Sequence, residues 1–173
     1  MSVVVREARV DDLAAVALVR ARSWAAAYAG IVPPAYLDQM QDEEALERSR
    51  RSWETRPADR FLLVAEVGGQ VVGFASGGPE RPNAAGIEGR GEVYAIYTLP
   101  EVWSTGVGAA LMAGALARLT RYQQVVLWVL EENKRARAFY ERVGWGWTGA
   151  REELQLGGVT LQELQYQRPG RAV

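Results

Sequence analysis

Pro100-Glu-Val-Trp-Ser-Thr-Gly-Val-Gly-Ala-Ala-Leu-Met112 changes the period of the chain within a few residues. Before it, Glu92–Leu99 alternates like a strand, and Pro100 stops that run. After it, Val107, Leu111, Ala115 and Leu119 form a single apolar stripe at helical spacing over 107–120. Gly106 and Gly108 stand at the junction. A strand that turns through glycines into a helix predicts a layered α/β arrangement.

Working outward, Gln124–Leu130 is a continuous apolar run, the pattern of a strand buried on both faces. Lys134–Arg142 is a short helix that stops at Gly144. Trp145–Leu156 and Val159–Gln167 bracket Gly157-Gly158, and Phe61–Val67 and Val71–Ala75 bracket Gly68-Gly69, so two hairpins are predicted. Residues 77–91 are rich in glycine and proline and read as a loop. Upstream, Val3–Arg6 is strand-like, and Asp11 is placed to cap an amphipathic helix over 12–28 that ends at Gly30 and Pro33-Pro34. A second helix is predicted over 42–54, with Glu44/Arg48 and Glu47/Arg51 at i,i+4 on a solvated face. The order is βααβββαβαββ in one domain, 1–173, without internal repeat or linker.

Composition excludes whole classes of chemistry. The 173 residues contain no Cys and no His. That removes disulfides, thiolate nucleophiles, zinc ribbons, imidazole bases and Ser-His-Asp triads. Acid–base work falls to Asp, Glu, Tyr, the single Lys134 or water, and no metal site is expected. Twenty basic residues against 21 acidic ones give no overall attraction to nucleic acid or anionic membrane. Charge appears early in Met-Ser-Val-Val-Val-Arg-Glu and Val102–Ala117 is too short to span a bilayer, so a cytoplasmic location is expected.

Uncapped amides at a helix start, with the helix dipole behind them, attract anions, and glycines let a phosphate approach closely. Gly106 and Gly108 therefore suit either a pyrophosphate cradle or simply a tight turn. A nucleoside-triphosphate loop is excluded by the missing Gly-Lys-Ser/Thr. A dinucleotide fingerprint would need a third glycine where Leu111 stands.

A second stretch, Asn133-Lys-Arg-Ala136-Arg-Ala-Phe139-Tyr140-Glu-Arg-Val-Gly144-Trp145, joins the first. Together they resemble the GNAT superfamily of acetyl-CoA-dependent N-acetyltransferases. Its pattern Asn-x-x-Ala-x-x-Phe-Tyr-x-x-x-Gly-Phe/Trp is matched at every fixed position. Its pyrophosphate motif Arg/Gln-x-x-Gly-x-Gly/Ala is matched at Gly106 and Gly108, with Trp103 standing where Arg or Gln is usual. The resemblance implies an α/β (α+β) fold: a mixed sheet of about seven strands, flanked by about four helices, splayed between strands 4 and 5.

It also implies acetyl-CoA as donor and a primary amine, small-molecule or peptide, as acceptor. The amine would attack directly, without a covalent enzyme intermediate. Tyr140 matches the acid that protonates the departing thiolate; beside Phe139 it could equally be a packed core residue. Residues Trp103, Ser104, Thr105, Gly106, Val107, Gly108 and Ala109 form the expected diphosphate loop. Ile96, Tyr97 and Thr98 would offer main-chain groups to the pantetheine arm, with Asn133, Ala136 and Phe139 beside it. Asn133 could also be a helix cap. A lost arginine at Trp103 would remove a charge-assisted bond of about 1.5–3 kcal/mol, and Arg135 or Arg137 is the expected substitute.

An aliphatic amine is neutral in only about one molecule in ~10³ at pH 7, a handicap of roughly 4–5 kcal/mol, so a base is required. Unbroken alternation would put Glu92, Tyr94, Ile96 and Thr98 on one face. Glu92 is then the candidate base or merely a solvated strand-start glutamate, and Glu88 is its competitor. Acceptor contacts are expected from Tyr28 and Tyr36 and from Glu80, Arg81, Glu88 and Arg90, while Trp24, Trp145 and Trp147 are assigned to the core. Members of the family often dimerise, so a homodimer is among the expected assemblies. Readings from other classes are an idle acyl-CoA-binding sensor or scaffold and a nucleotide-binding α/β domain.

Overall fold

The strand-forming runs become β1 (Val3–Glu7), β2 (Phe61–Val67), β3 (Gln70–Pro79), β4 (Gly91–Thr98), β5 (Gln124–Leu130), β6 (Gly146–Leu156) and β7 (Val159–Pro169). The helices are α1 (Leu13–Ala27), α2 (Pro34–Asp38), α3 (Glu43–Glu54), α4 (Val107–Arg118) and α5 (Lys134–Arg142). This computed structural model describes residues 2–41, 43–82 and 89–169. The strands make one sheet in the order β1-β2-β3-β4-β5-β7-β6. All neighbours are antiparallel except β4 and β5, which run parallel. Both glycine-pair hairpins form, with positive φ at each glycine as a two-residue turn requires.

One face of the sheet packs under α4. Val107, Leu111, Ala115 and Leu119, the stripe read from the sequence, are buried there with Leu63, Val93, Val125, Leu127, Tyr140 and Tyr166. The other face meets α1 through Val16, Val19, Val64 and Phe74. A third cluster joins Tyr28, Val32 and Leu37 to Leu130, Leu156 and Leu161, so the β6–β7 hairpin is seated against the turn after α1.

The departures from the sequence reading have local causes. Five helices form instead of about four, because Pro34 starts the short α2, where a fixed φ and a missing N–H cost nothing. Asp11 caps nothing: a 3-10 turn over Val10–Asp12 precedes α1. Its neighbour Asp12 takes the Arg9 main-chain N–H at 2.7 Å and two bonds from Arg6. On α3, Glu44 meets Arg48 at 3.6 Å, but Glu47 turns to Arg50 and not Arg51. Residues 77–79 are strand, not loop. A Cβ on Gly77 would lie 2.5 Å from the Glu92 carbonyl, so the glycine is there for close approach between strands.

The alternation expected along β4 is broken. Ser76 faces Ala95 while Gly77 faces Val93, so Tyr94 is an extra residue in a bulge. Val93 and Ile96 consequently turn to the α4 core, and Ala95 and Tyr97 to the α1 side. The expected splay is present: β4 and β5 pair only at Gly91–Val125 and Glu92–Val126, then part.

Candidate active site

Because β4 and β5 part after Glu92, a cleft of about 730 Å³ opens between them. At one end lies the turn before α4. Ser104 (φ 62°) and Gly106 (φ 96°) are both left-handed there. Successive amides in such a turn converge on a concavity suited to an anion. Gly106 is the N-cap and offers no side chain, so the first α4 amides have no side-chain partner. A Cβ on Gly108 would touch only Phe139, at 3.5 Å, leaving its cleft side open.

Trp103 secures this turn without supplying charge. Its indole N–H donates to the Thr98 carbonyl at 3.0 Å, tying the turn to the end of β4. Arg135, from the first turn of α5, stacks on the Trp103 ring with its guanidinium carbon 3.5 Å from the ring centre. Burial and then the neighbouring Arg142 hold the Arg135 pKa below its usual value. Both arginines line the cleft, and among the described residues neither makes an ion pair. Arg137 turns the other way, donating to the Tyr166 hydroxyl at 3.2 Å and the Glu131 carbonyl at 3.0 Å.

The middle of the cleft is built by β4, β5 and α5. Past Glu92, β4 has no strand partner on its β5 side, so main-chain groups of Ile96 and Tyr97 border the opening. The Thr98 carbonyl is already taken, by Trp103 and by the Ser23 hydroxyl at 2.8 Å. Asn133 caps α5, its side-chain oxygen accepting from the Ala136 N–H at 3.0 Å, and it lines the cleft as well. Ala136, Phe139 and Tyr140 follow along the same wall. Tyr140 is 8% exposed, packed by Phe139, Trp145 and Tyr166. Burial, with a smaller contribution from Tyr97, pushes its phenol well above the ordinary value, so it stays protonated.

Of the residues singled out in the sequence, Ser104, Gly106, Gly108 and Ala109 also line the cleft, whereas Thr105, Val107 and Glu92 do not. Val107 points into the core. Thr105 is exposed and bonds the Val102 carbonyl at 2.7 Å. Glu92 is 1% exposed. Its carboxylate accepts the Arg81 main-chain N–H at 2.8 Å and the Arg81 guanidinium at 3.0 Å. Glu88 lies outside the described residues.

The far end of the cleft is aromatic and charged. Trp24 stacks edge-on against Tyr28 with ring centres 4.8 Å apart, and Tyr97 is 6.2 Å away. Trp24 packs against the Tyr28–Leu37 core cluster and also lines the cleft. Trp145 is buried, while Trp147 is half exposed under Arg151. Tyr36 packs on Gly157 of the hairpin instead of lining the cleft. Glu80 and Arg90 form a buried pair with each other. Arg81 and Glu163 face the opening. No sequence motif marks Glu163, a polar position on the last strand. Among the described residues no cluster of three or more Asp or Glu is arranged to hold a metal ion.

Comparison with known proteins gives the class of this molecule, an acetyltransferase. The chain belongs to the acetyltransferase (GNAT) family, whose profile matches residues 20–145. It is 33% identical over 169 residues to the uncharacterized N-acetyltransferase YuaI of Bacillus subtilis, covering 94% of this chain and 90% of that one. The ribosomal-protein-alanine N-acetyltransferase of Brucella melitensis superposes with a TM-score of 0.73 at 26% identity, covering 96% of this chain and 99% of that one. The fold is also that of the PaiA N-acetyltransferase of Thermoplasma acidophilum, solved in complex with coenzyme A. There the TM-score is 0.73 at 22% identity, over 98% and 99% of the two chains.

Proposed function

We propose that the protein transfers the acetyl group of acetyl-CoA to a primary amine by direct attack. The observation that carries this reading is the alignment, along one cleft, of uncapped α4 amides, an unpaired strand edge and a buried protonated tyrosine. The amides around Gly106–Ala109 would hold the diphosphate of the donor, with Arg135 and Arg142 adding positive charge. The open edge of β4 at Ile96 and Tyr97 would pair with the pantetheine amides, and Asn133, Ala136 and Phe139 would flank them. Such fixation supplies orientation, which lowers the barrier without covalent chemistry.

Tyr140 is assigned the acid. Its proton stabilises the departing thiolate, and the proton shed by the nitrogen after the C–N bond forms makes good that loss. Replacing Tyr140 with Phe keeps the packing and removes only the hydroxyl. Turnover should fall about 10²-fold while CoA affinity, read by calorimetry, stays within about twofold. Equal turnover in the two proteins would remove Tyr140 from the mechanism, and absence of CoA binding by the native chain would end the whole reading.

A further inference from the structure

We propose that Glu163 accepts the proton of the attacking amine, and that the acceptor is a cationic primary amine on an apolar or aromatic body with no carboxylate beside its nitrogen. The inference rests on the acetyl-transfer reading above and names the acceptor side of the same site. Glu163 stands on β7 opposite Leu130 of β5 and Glu152 of β6. Its neighbour Leu164 turns to the α4 core, so Glu163 faces the other way, into the cleft. Glu92 does not reach the cleft at all.

The charges at this end select the ligand. Arg81 commits its guanidinium and its main-chain N–H to Glu92 and lies over the Tyr94 ring. Glu163 lies near that pair, with Glu152 beside it and the Tyr97 phenol within electrostatic reach. Around Glu163, Arg81 is set against Glu92, Glu152 and Glu163 itself, and the next cation, Arg20, acts on Tyr97, so the surplus at Glu163 is negative. An ammonium group fits that surplus, whereas a carboxylate would be repelled. The walls around it, Trp24, Tyr28, Tyr97, Leu154 and Leu156, offer apolar surface to the rest of the molecule. Burial raises the Glu163 pKa; Arg81 opposes the rise, and Glu152 and Glu92 add to it. A carboxylate whose pKa is raised is a stronger base than an ordinary exposed one.

The reaction balances on these groups. The ammonium proton passes to Glu163 and then to solvent. The neutral nitrogen forms the C–N bond as the C–S bond breaks, the sulfur takes its proton from Tyr140, and the second proton, shed by the acylated nitrogen, restores the phenol. Below the raised pKa Glu163 is protonated and cannot act, so activity should fall on the acid side at a pH above the ordinary carboxylate range.

The test uses the full chain, acetyl-CoA and two probes: 2-phenylethylamine, and L-phenylalanine, which adds only the carboxylate. Free thiol is followed from pH 5 to 9. The amine should be acetylated with kcat/KM at least about 10²-fold above the amino acid. Glu163→Gln should lower kcat about 10²- to 10³-fold and abolish the acid limb, with the CoA Kd within about twofold. Glu163→Asp should restore part of the rate together with the limb, which a merely structural role would not do. The proposal is overturned if Glu163→Gln keeps both rate and limb, or if Glu92→Gln loses the limb instead. It is equally overturned if L-phenylalanine is preferred, or if neither probe reacts while CoA binds. Failure of the native chain to bind CoA defeats the acetyl-transfer reading itself, and this inference with it.

Discussion

The two ends of the cleft are made of different material. The α4 end is built from one short stretch, Trp103 to Ala109, with Arg135 folded over it, and its polar groups are mainly main-chain amides. The aromatic end gathers Trp24, Arg81, Tyr97, Leu154 and Glu163 from α1, the β3–β4 connection, β4, β6 and β7. Its polarity comes from side-chain charges. Main-chain donors survive substitution of the residues that carry them, provided the backbone keeps its path. A site made of side-chain charges can be retuned one residue at a time, and each change also disturbs its charged neighbours.

The largest effect should separate the two ends by stability. Arg81→Ala leaves the Glu92 carboxylate buried with only a main-chain N–H. Removing one partner of a buried pair costs about 3–5 kcal/mol. The Arg81 side chain is itself 53% exposed, so water can follow, and the lower figure of about 3 kcal/mol is expected. Urea unfolding should show that loss, and Glu92→Gln added to Arg81→Ala should recover much of it by removing the stranded charge. CoA binding by the folded fraction should not change. An unchanged unfolding midpoint in Arg81→Ala would break the contrast, because the charges of the aromatic end would then not be coupled.

The next effect tests the main-chain end. Gly106 holds φ at 96°, and an L side chain there costs about 1–2 kcal/mol, more when branched at Cβ. Gly106→Val should therefore weaken CoA binding about tenfold as the turn re-forms, with the amine KM nearly unaffected. Gly108→Ala should change either value less than about twofold, since the added methyl only touches the Phe139 ring at 3.5 Å. Equal losses in both variants would mean that space, not backbone path, limits this end.

What could be read from the sequence follows the same division. The glycine turn, the α4 stripe, the Tyr140 helix and both hairpins depend on neighbours in the chain, and local patterns record them. The bulge at Tyr94 does not. It arises where β3 and β4 are brought together, and it turns Ile96 away from the face that simple alternation assigns. Gly77 misled for a related reason: a glycine demanded by a strand across the sheet looks, in sequence, like a glycine that makes a loop. Glu163 is the hardest case. Along β6 and β7 it is one more polar residue, like Glu153 on the exposed surface, and only the parting of β4 from β5 gives it a cleft to face.

The smallest effect concerns the charge expected in place of an arginine at 103. Arg135 and Arg137 are equally eligible in sequence, but helical geometry sends them to different sides of α5. Arg135 lies flat on Trp103 at the cleft, and Arg137 reaches back to Tyr166 and Glu131. Arg135→Ala removes a cation stacked on an indole, worth about 0.5–1 kcal/mol at a partly exposed site, and with it a charge facing the diphosphate. CoA affinity should fall about fivefold, and the variant should depend less on salt than the parent. Arg137→Ala should leave that affinity unchanged and instead lower the unfolding midpoint slightly, because the Glu131 carbonyl and the Tyr166 hydroxyl each lose a donor. The opposite pattern, with affinity following Arg137, would mean that α5 presents its other face to the donor. Loss in both variants would point to the net charge of the helix and not to the residue seated on Trp103.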